Sequence, residues 1–150
     1  MADDIGSFST MLRAALGSRL AADADSFIDM VAADVVIEFP FAPPGMVRRL
    51  DGRDAIALHL EGLSGLIAFD GMGEAVVHRS TDPDLFVLEF EGFGTGVETG
   101  EPYAQTYISV IRLRAGRIVA YRDYWNPLVV LRTLRGAAVI DGLIGGGDHG

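Results

Sequence analysis

An α+β fold is predicted for this 150-residue chain. Three observations predict it. Apolar residues recur at helical spacing through most of the first half. The period switches to two after Gly71. The segments with that period then follow one another without intervening helices. Helices first and strands in a late run mean a segregated architecture with an antiparallel meander. A doubly wound parallel sheet would need helices alternating with strands.

Each element has its own local cause. Phe8, Met11, Leu12, Ala15, Leu16 and Leu20 repeat at helical spacing, with Ser7 as the cap. A short second helix is expected after Asp23, burying Phe27, Met30 and Val31. Residues 35–41 are rich in β-formers and stop at the breaker Pro43-Pro44-Gly45. Gly52 precedes a third helix with an apolar stripe of Ile56, Leu60, Leu63 and Ile67. Residues 75–79 read as a strand halted by Asp82-Pro83. Residues 85–91 form the next, with Phe86, Leu88 and Phe90 on one face and Val87, Glu89 and Glu91 on the other. Residues 103–112 make a long strand, and Ala115-Gly116 turns it into a closing strand at 117–125. Asn126 is a good N-cap, Pro127 suits the first helical position, and Gly136 closes the last helix. No linker or repeat interrupts residues 1–136, which are read as one domain. Residues 137–150 are read as a tail whose Gly-rich end, including His149, is expected to be disordered.

Composition prunes the chemistry. Hydrophobic residues make up 49% of the chain, enough for a core and a pocket. The formal net charge of −9 argues against nucleic acid or an anionic membrane as partner, because both need a basic face. No apolar run approaches the roughly 18 residues of a membrane span, and no secretory leader is read at the N-terminus. A cytoplasmic location is therefore expected. There is no Cys and no Lys, and all twelve basic residues are Arg. Thiolate chemistry and lysine Schiff bases are thereby excluded. Only His59, His78 and His149 are present, and no phosphate-binding or nucleophile-elbow motif occurs. The expectation is a protein with no metal and no organic cofactor.

The segment Arg117-Ile118-Val119-Ala120-Tyr121-Arg122-Asp123-Tyr124-Trp125-Asn126-Pro127-Leu128 resembles the closing strand of SnoaL-like proteins in the NTF2-like superfamily. These include polyketide cyclases, limonene-type epoxide hydrolases and the phenazine-biosynthesis A/B proteins. The pattern of the last group is echoed by Asp82-Pro83, Glu89 to Gly94, Gly100-Glu101-Pro102-Tyr103, Gly116-Arg117-Ile118 and Gly52-Arg53-Asp54 before His59. The resemblance runs from about Met11 to Leu134. It implies an NTF2-like (cystatin-like) cone, a curved mixed or antiparallel sheet packed on three to four helices around a pocket. It also implies that Asp123 on the closing strand works with His59 on the third helix. This chain has Asp where the phenazine proteins have Glu, and Leu63 where they have Ser one turn after the His. The epoxide hydrolases pair a similar Asp with an Arg-x-Asp on an earlier strand. Here the matching stretch is Glu89-Phe90-Glu91.

The residues themselves support several candidates. Asp123 shares a strand face with Val119, Tyr121 and Trp125, and a carboxyl among aromatics is desolvated toward a useful general-acid pKa. An ion pair or a surface position is the alternative. His59 adjoins the apolar stripe and is either a pocket group facing Asp123 or a half-buried packing residue. Tyr103, Gln105 and Tyr107 share one face of their strand and either hydrogen-bond a ligand or pack the sheet. Glu89 is a pocket acid or part of a solvated face, and Glu38 a pocket acid or an edge charge. Trp125, Tyr121 and Phe41 are read as pocket wall. His78 and Arg122 are placed on the outer surface or at an interface, and Arg48-Arg49 at the pocket rim or in solvent.

The expectation is an acid–base isomerase, cyclase or condensing enzyme acting on a small, partly apolar, carbonyl-bearing ring compound. Two alternatives stand beside it: a non-catalytic ligand-binding or dimeric assembly module, and an epoxide hydrolase-like hydrolase. The strand face of Ile108, Val110 and Arg112 suits a homodimer through the sheet.

Overall fold

Strict alternation over two long segments fixes the centre of the sheet. In the computed structural model, which describes residues 6–145, β5 (Leu85–Gly96) and β6 (Pro102–Arg114) run antiparallel. Their register is unbroken from Leu85 opposite Arg112 to Thr95 opposite Pro102. Phe86, Leu88 and Phe90 from β5, with Tyr103, Gln105, Tyr107, Ser109 and Ile111 from β6, form one buried face. The intervening residues face outward.

Ala115 and Gly116 both take positive φ, 52° and 80°, and turn β6 into β7 (Arg117–Trp125). Such turns match the right-handed twist of a hairpin. The chain's first strand, β1 (Val31–Glu38), then lies parallel to β7. The late strands form the expected antiparallel meander, and β1 joins it through a long crossover rather than a hairpin, which makes the sheet mixed. With β2 (Arg49–Asp51) and β3 (Ile67–Met72) at its edges, the sheet has the order β2-β1-β7-β6-β5-β3, and β4 (Val76–Arg79) pairs on β5. The short strands β2 and β3 were not foreseen.

β1 carries a bulge between Val31 and Val36. The carbonyls it frees are taken by neighbours, as buried carbonyls must be. Gly52 N–H donates to Val35 O at 2.7 Å, and an Arg53 Nη donates to Val31 O at 2.7 Å.

The helices cover the inner face of the sheet. α1 (Gly6–Leu16), which includes Ser7 rather than starting after it, buries Leu12 and Leu16. A 3-10 turn, Gly17–Arg19, follows. α2 (Phe27–Met30) opens on a capping box between Ser26 and Asp29. α3 (Arg53–Ser64) ends at Gly65, so Ile67 belongs to β3 and not to the helical stripe. Gly62, Ser64 and Gly65 explain the stop, since they weaken a helix just where its stripe would continue. Asn126 Oδ1 accepts from Leu128 N–H at 2.9 Å and caps α4 (Pro127–Arg135), which Gly136 closes as expected. The segment read as a tail instead begins with α5 (Ala137–Gly145). His149 and the rest of the Gly-rich end lie outside the described residues.

Leu12, Met30, Ile56, Leu88, Ile111 and Ile118 are almost fully buried and mark the core between helices and sheet. Among the described residues, no helix is long and apolar enough to cross a membrane.

Candidate functional site

The curved sheet and its covering helices leave a cavity in two compartments, of about 100 Å³ and about 480 Å³. Phe39, His59, Leu63, Phe69, Tyr107 and Asp123 line both, so the compartments meet at these side chains. Phe8, Phe27, Phe90 and Tyr121 wall the smaller one. Met46, Tyr103, Trp125 and Val130 wall the larger. Glycine makes room for this arrangement on β5. A Cβ at Gly92 would lie 2.9 Å from Sδ of Met72 and 2.9 Å from Cε2 of Tyr107. Its absence lets the Tyr107 ring lie against the sheet, where Phe90 stacks on it at 5.0 Å.

Among the described residues, Asp123 is the one carboxylate in this lining. Period two on β7 turns it inward with Tyr121 and Trp125, and sends Arg122 out to solvent. It is half-buried, and it lines both compartments. Burial pushes its carboxyl up to about 7, against a small opposing effect of the hydrogen bond from Ser109. No Arg pairs with it. Ser109 Oγ donates to Asp123 Oδ1 at 3.3 Å and lies 2.8 Å from the Tyr121 hydroxyl.

Three tyrosines surround the carboxyl. Burial raises the phenols of Tyr107 and Tyr121 well above their ordinary value, and that of Tyr103 to about 12. All three therefore stay protonated and able to donate. Tyr103 and Tyr107 share a hydrogen bond between their hydroxyls at 2.5 Å. One O–H proton is used in that bond, which leaves the other hydroxyl free to donate elsewhere.

His59 stands on α3 with its ring 5.5 Å from the Phe39 ring. Desolvation lowers its pKa, so the imidazole is neutral at pH 7. Neutral imidazole offers one donor and one acceptor.

The structure thus brings Asp123, His59, Tyr103, Tyr107, Tyr121 and Trp125 to one cavity. Four other candidates lie elsewhere. Gln105 faces inward, but both ends of its amide hold the Asn126 backbone. Nε2 donates to Asn126 O at 3.0 Å, and Oε1 accepts from Asn126 N–H at 2.8 Å. It clamps the β7–α4 junction instead of lining the cavity. Glu38 lies on the outer phase of β1, 4.0 Å from Arg49. Glu89 is outward on β5 and meets His78 Nε2 at 2.6 Å. Phe41 is 57% exposed, beyond the turn at Pro40, and packs edge-on against Tyr124. The wall position that Phe41 was expected to fill belongs to Phe39, in phase with Ile37 on β1.

The stretch Glu89-Phe90-Glu91 presents Phe90 to the cavity and both carboxylates to solvent. It therefore assembles no second acid beside Asp123. Arg48 is consumed by the carbonyls of Pro40 and Ala42, and Arg49 by Asp51. Ser109 was missed altogether. Its only sequence mark is its phase, two residues after Tyr107 on the buried face.

A curved mixed sheet closing with helices over an aromatic cavity defines the NTF2-like, ketosteroid isomerase-like fold class. Within that class the chain belongs to the SnoaL-like family, whose SnoaL-like domain matches residues 12–121. It is 40% identical to the uncharacterised protein YesE of Bacillus subtilis over 126 residues, 84% of this chain and 86% of that one. It is also 40% identical to an uncharacterised PhzA/B-like protein of Pseudomonas aeruginosa over 114 residues, 76% of this chain and 80% of the relative. A solved Bacillus subtilis structure, named as a candidate isomerase, superposes with a TM-score of 0.73 at 40% identity. The match covers 85% of this chain and 92% of that one. A phenazine biosynthesis-related protein of Pseudomonas aeruginosa shares the fold at 18% identity, with a TM-score of 0.66 over 85% of this chain and 83% of its own.

Proposed function

We propose that this protein is a cofactor-free acid–base enzyme that moves a proton on a small, partly apolar, carbonyl-bearing ring compound. One observation carries the reading: the Asp123 carboxyl is held inside an aromatic cavity, with no cationic partner among the described residues, at a pKa of about 7. A group poised there can both take and return a proton at neutral pH.

The step starts with Asp123 as carboxylate. It accepts a proton from the carbon next to the substrate carbonyl. The C–H electron pair becomes the new C=C bond, and the carbonyl π pair moves to oxygen. The Tyr103–Tyr107 pair, with one hydroxyl proton free, donates a hydrogen bond to that oxygen. Asp123, now a carboxylic acid, returns the proton to a different carbon of the conjugated system. The net change is an isomerisation with no external oxidant or reductant. Neutral His59 lines the same junction and orients the substrate by hydrogen bonding. Positioned acid–base groups of this kind contribute about 10²–10⁴-fold in rate.

The test is enzyme-dependent exchange of α-protons of an enolisable ring ketone in D2O, followed by NMR. Asp123→Asn should lower the exchange rate by about 100-fold or more while the fold persists. Unchanged exchange removes Asp123 from the chemistry.

A further inference from the structure

We infer that this cavity selects by charge: its substrate enters as a neutral molecule, and ionised carboxylates and phosphates are excluded. The inference deepens the acid–base reading above and rests on it.

The argument begins with the basic residues. The chain has no Lys, so its only permanent side-chain cations are twelve Arg. All twelve lie within the described residues, and none lines either compartment. Several are committed to the fold. Arg13 donates to the carbonyls of Ala21 and Ala24, Arg48 to those of Pro40 and Ala42, and Arg53 to that of Val31. Others pair on the surface, as Arg112 does with Asp82 and Arg114 with Asp34. His59 does not replace them, because burial keeps it neutral. A ligand anion would therefore lose its water and find no counter-charge. It would also meet Asp123, a like charge at the junction of the compartments. The net charge of −9 opposes the approach of anions from a distance as well.

An organic cation is the other possibility the walls allow. Trp125, Phe39 and Tyr107 present aromatic faces, and Asp123 a counter-ion. Such a cation would hold Asp123 ionised and occupied, leaving no base to move a proton. A cation would silence the acid–base step, so it is not the ligand this cavity selects.

Volume orients the neutral ligand. A cavity of roughly 150 Å³ accommodates benzene. The smaller compartment, about 100 Å³, falls short of a ring, so rings lie in the larger one of about 480 Å³, beside Trp125. The carbonyl then reaches the junction at Tyr107 and Asp123.

Trp125 is the only Trp in the chain and lines the larger compartment, so its fluorescence reports entry there. Three probes share one skeleton: 2-tetralone, tetralin-2-carboxylate and protonated 2-aminotetralin. At pH 8 the ketone should bind at least about tenfold more tightly than the carboxylate. An anion that raises the Asp123 pKa by one unit is penalised about fivefold at pH 8, and the uncompensated desolvation of its own charge adds to that. The gap should narrow at pH 5.5, where Asp123 is protonated but the probe is still ionised. It should narrow at pH 8 in Asp123→Asn. Carboxylate binding as tight as ketone binding at pH 8 would overturn the inference. Tighter binding of the amine than of the ketone would overturn it in favour of a cationic ligand. Binding of the ketone without α-proton exchange would sink the acid–base reading and leave charge selection standing.

Discussion

Ser109 donates a hydrogen bond to Asp123 at 3.3 Å, and its oxygen is 2.8 Å from the Tyr121 hydroxyl. A Ser hydroxyl has one proton. With that proton on Asp123, Tyr121 donates to Ser109. The three form a directed chain, Tyr121 to Ser109 to Asp123, that favours the carboxylate against burial. Ser109→Ala should raise the Asp123 pKa further and move the acidic limb of the pH–rate profile to higher pH. Equal shifts in stability with no movement of that limb would assign Ser109 to packing alone.

Stability should depend on the same carboxyl. Its folded pKa of about 7 lies above the unfolded value of about 3.9. The native state therefore holds more protons than the unfolded state between these values, and stability falls as pH rises through that window. About three units correspond to as much as 4 kcal/mol. His59 acts in the opposite sense: its lowered pKa removes stability as pH falls below about 6.5. Asp123→Asn should be more stable than wild type at pH 8 and nearly equal to it at pH 4.5. Denaturant unfolding at the two pH values checks this.

Gly92→Ala places a methyl group where Met72 and Tyr107 already meet. Overpacking of this kind costs about 1–3 kcal/mol. The ring of Tyr107 should be displaced from Phe90 and the smaller compartment reduced. Thermal unfolding and ketone-probe affinity should both fall. A neutral effect on both would show that the strand yields without disturbing the site.

Gln105→Leu keeps a buried side chain of similar volume but removes the partner of Asn126 N–H and one of the two partners of its C=O, which still accepts from Val130 N–H. Losing two hydrogen bonds at a partly buried helix start costs about 1 kcal/mol each. Unfolding measurements should report that loss, together with faster amide exchange at the start of α4.

The outer sheet face carries Ile108, 41% exposed, and Phe93, 43% exposed. Arg122 and Glu91 share this face, on strands either side of β6. We propose that a second copy covers it, with acidic and basic flanks exchanged across a two-fold axis. Sedimentation at micromolar concentration should give a dimer, and Ile108→Arg a monomer. A monomeric wild type would contradict the proposal.

The elements most legible in the sequence were those with a clean period. Two-residue alternation gave the faces of β5, β6 and β7, and so the inward turn of Asp123, Tyr121 and Tyr107. Asn126-Pro127 and Gly136 set the ends of α4 by local chemistry. Ile67 misled, because its spacing from Leu63 continues a helical stripe that Gly65 has already ended. The parallel pairing of β1 with β7 has no local signature, since it joins segments about 85 residues apart by tertiary contact, as Val31 with Ile118 and Glu38 with Arg122. For the same reason the outward phase of Glu38 was open until Ile37 and Phe39 were seen to face the cavity. Phe41 lost its place to Phe39 through the turn at Pro40. Ser109 and the amide clamp of Gln105 depend on partners across strands that no single segment announces.

The account depends on Asp123 being held as a neutral-range acid within the cavity. The direct measurement is an NMR titration of the Asp123 side-chain carboxyl carbon, assigned by comparison with Asp123→Asn. A midpoint of about 7 is the predicted result. A midpoint near 4, that of a solvated carboxylate, would contradict it.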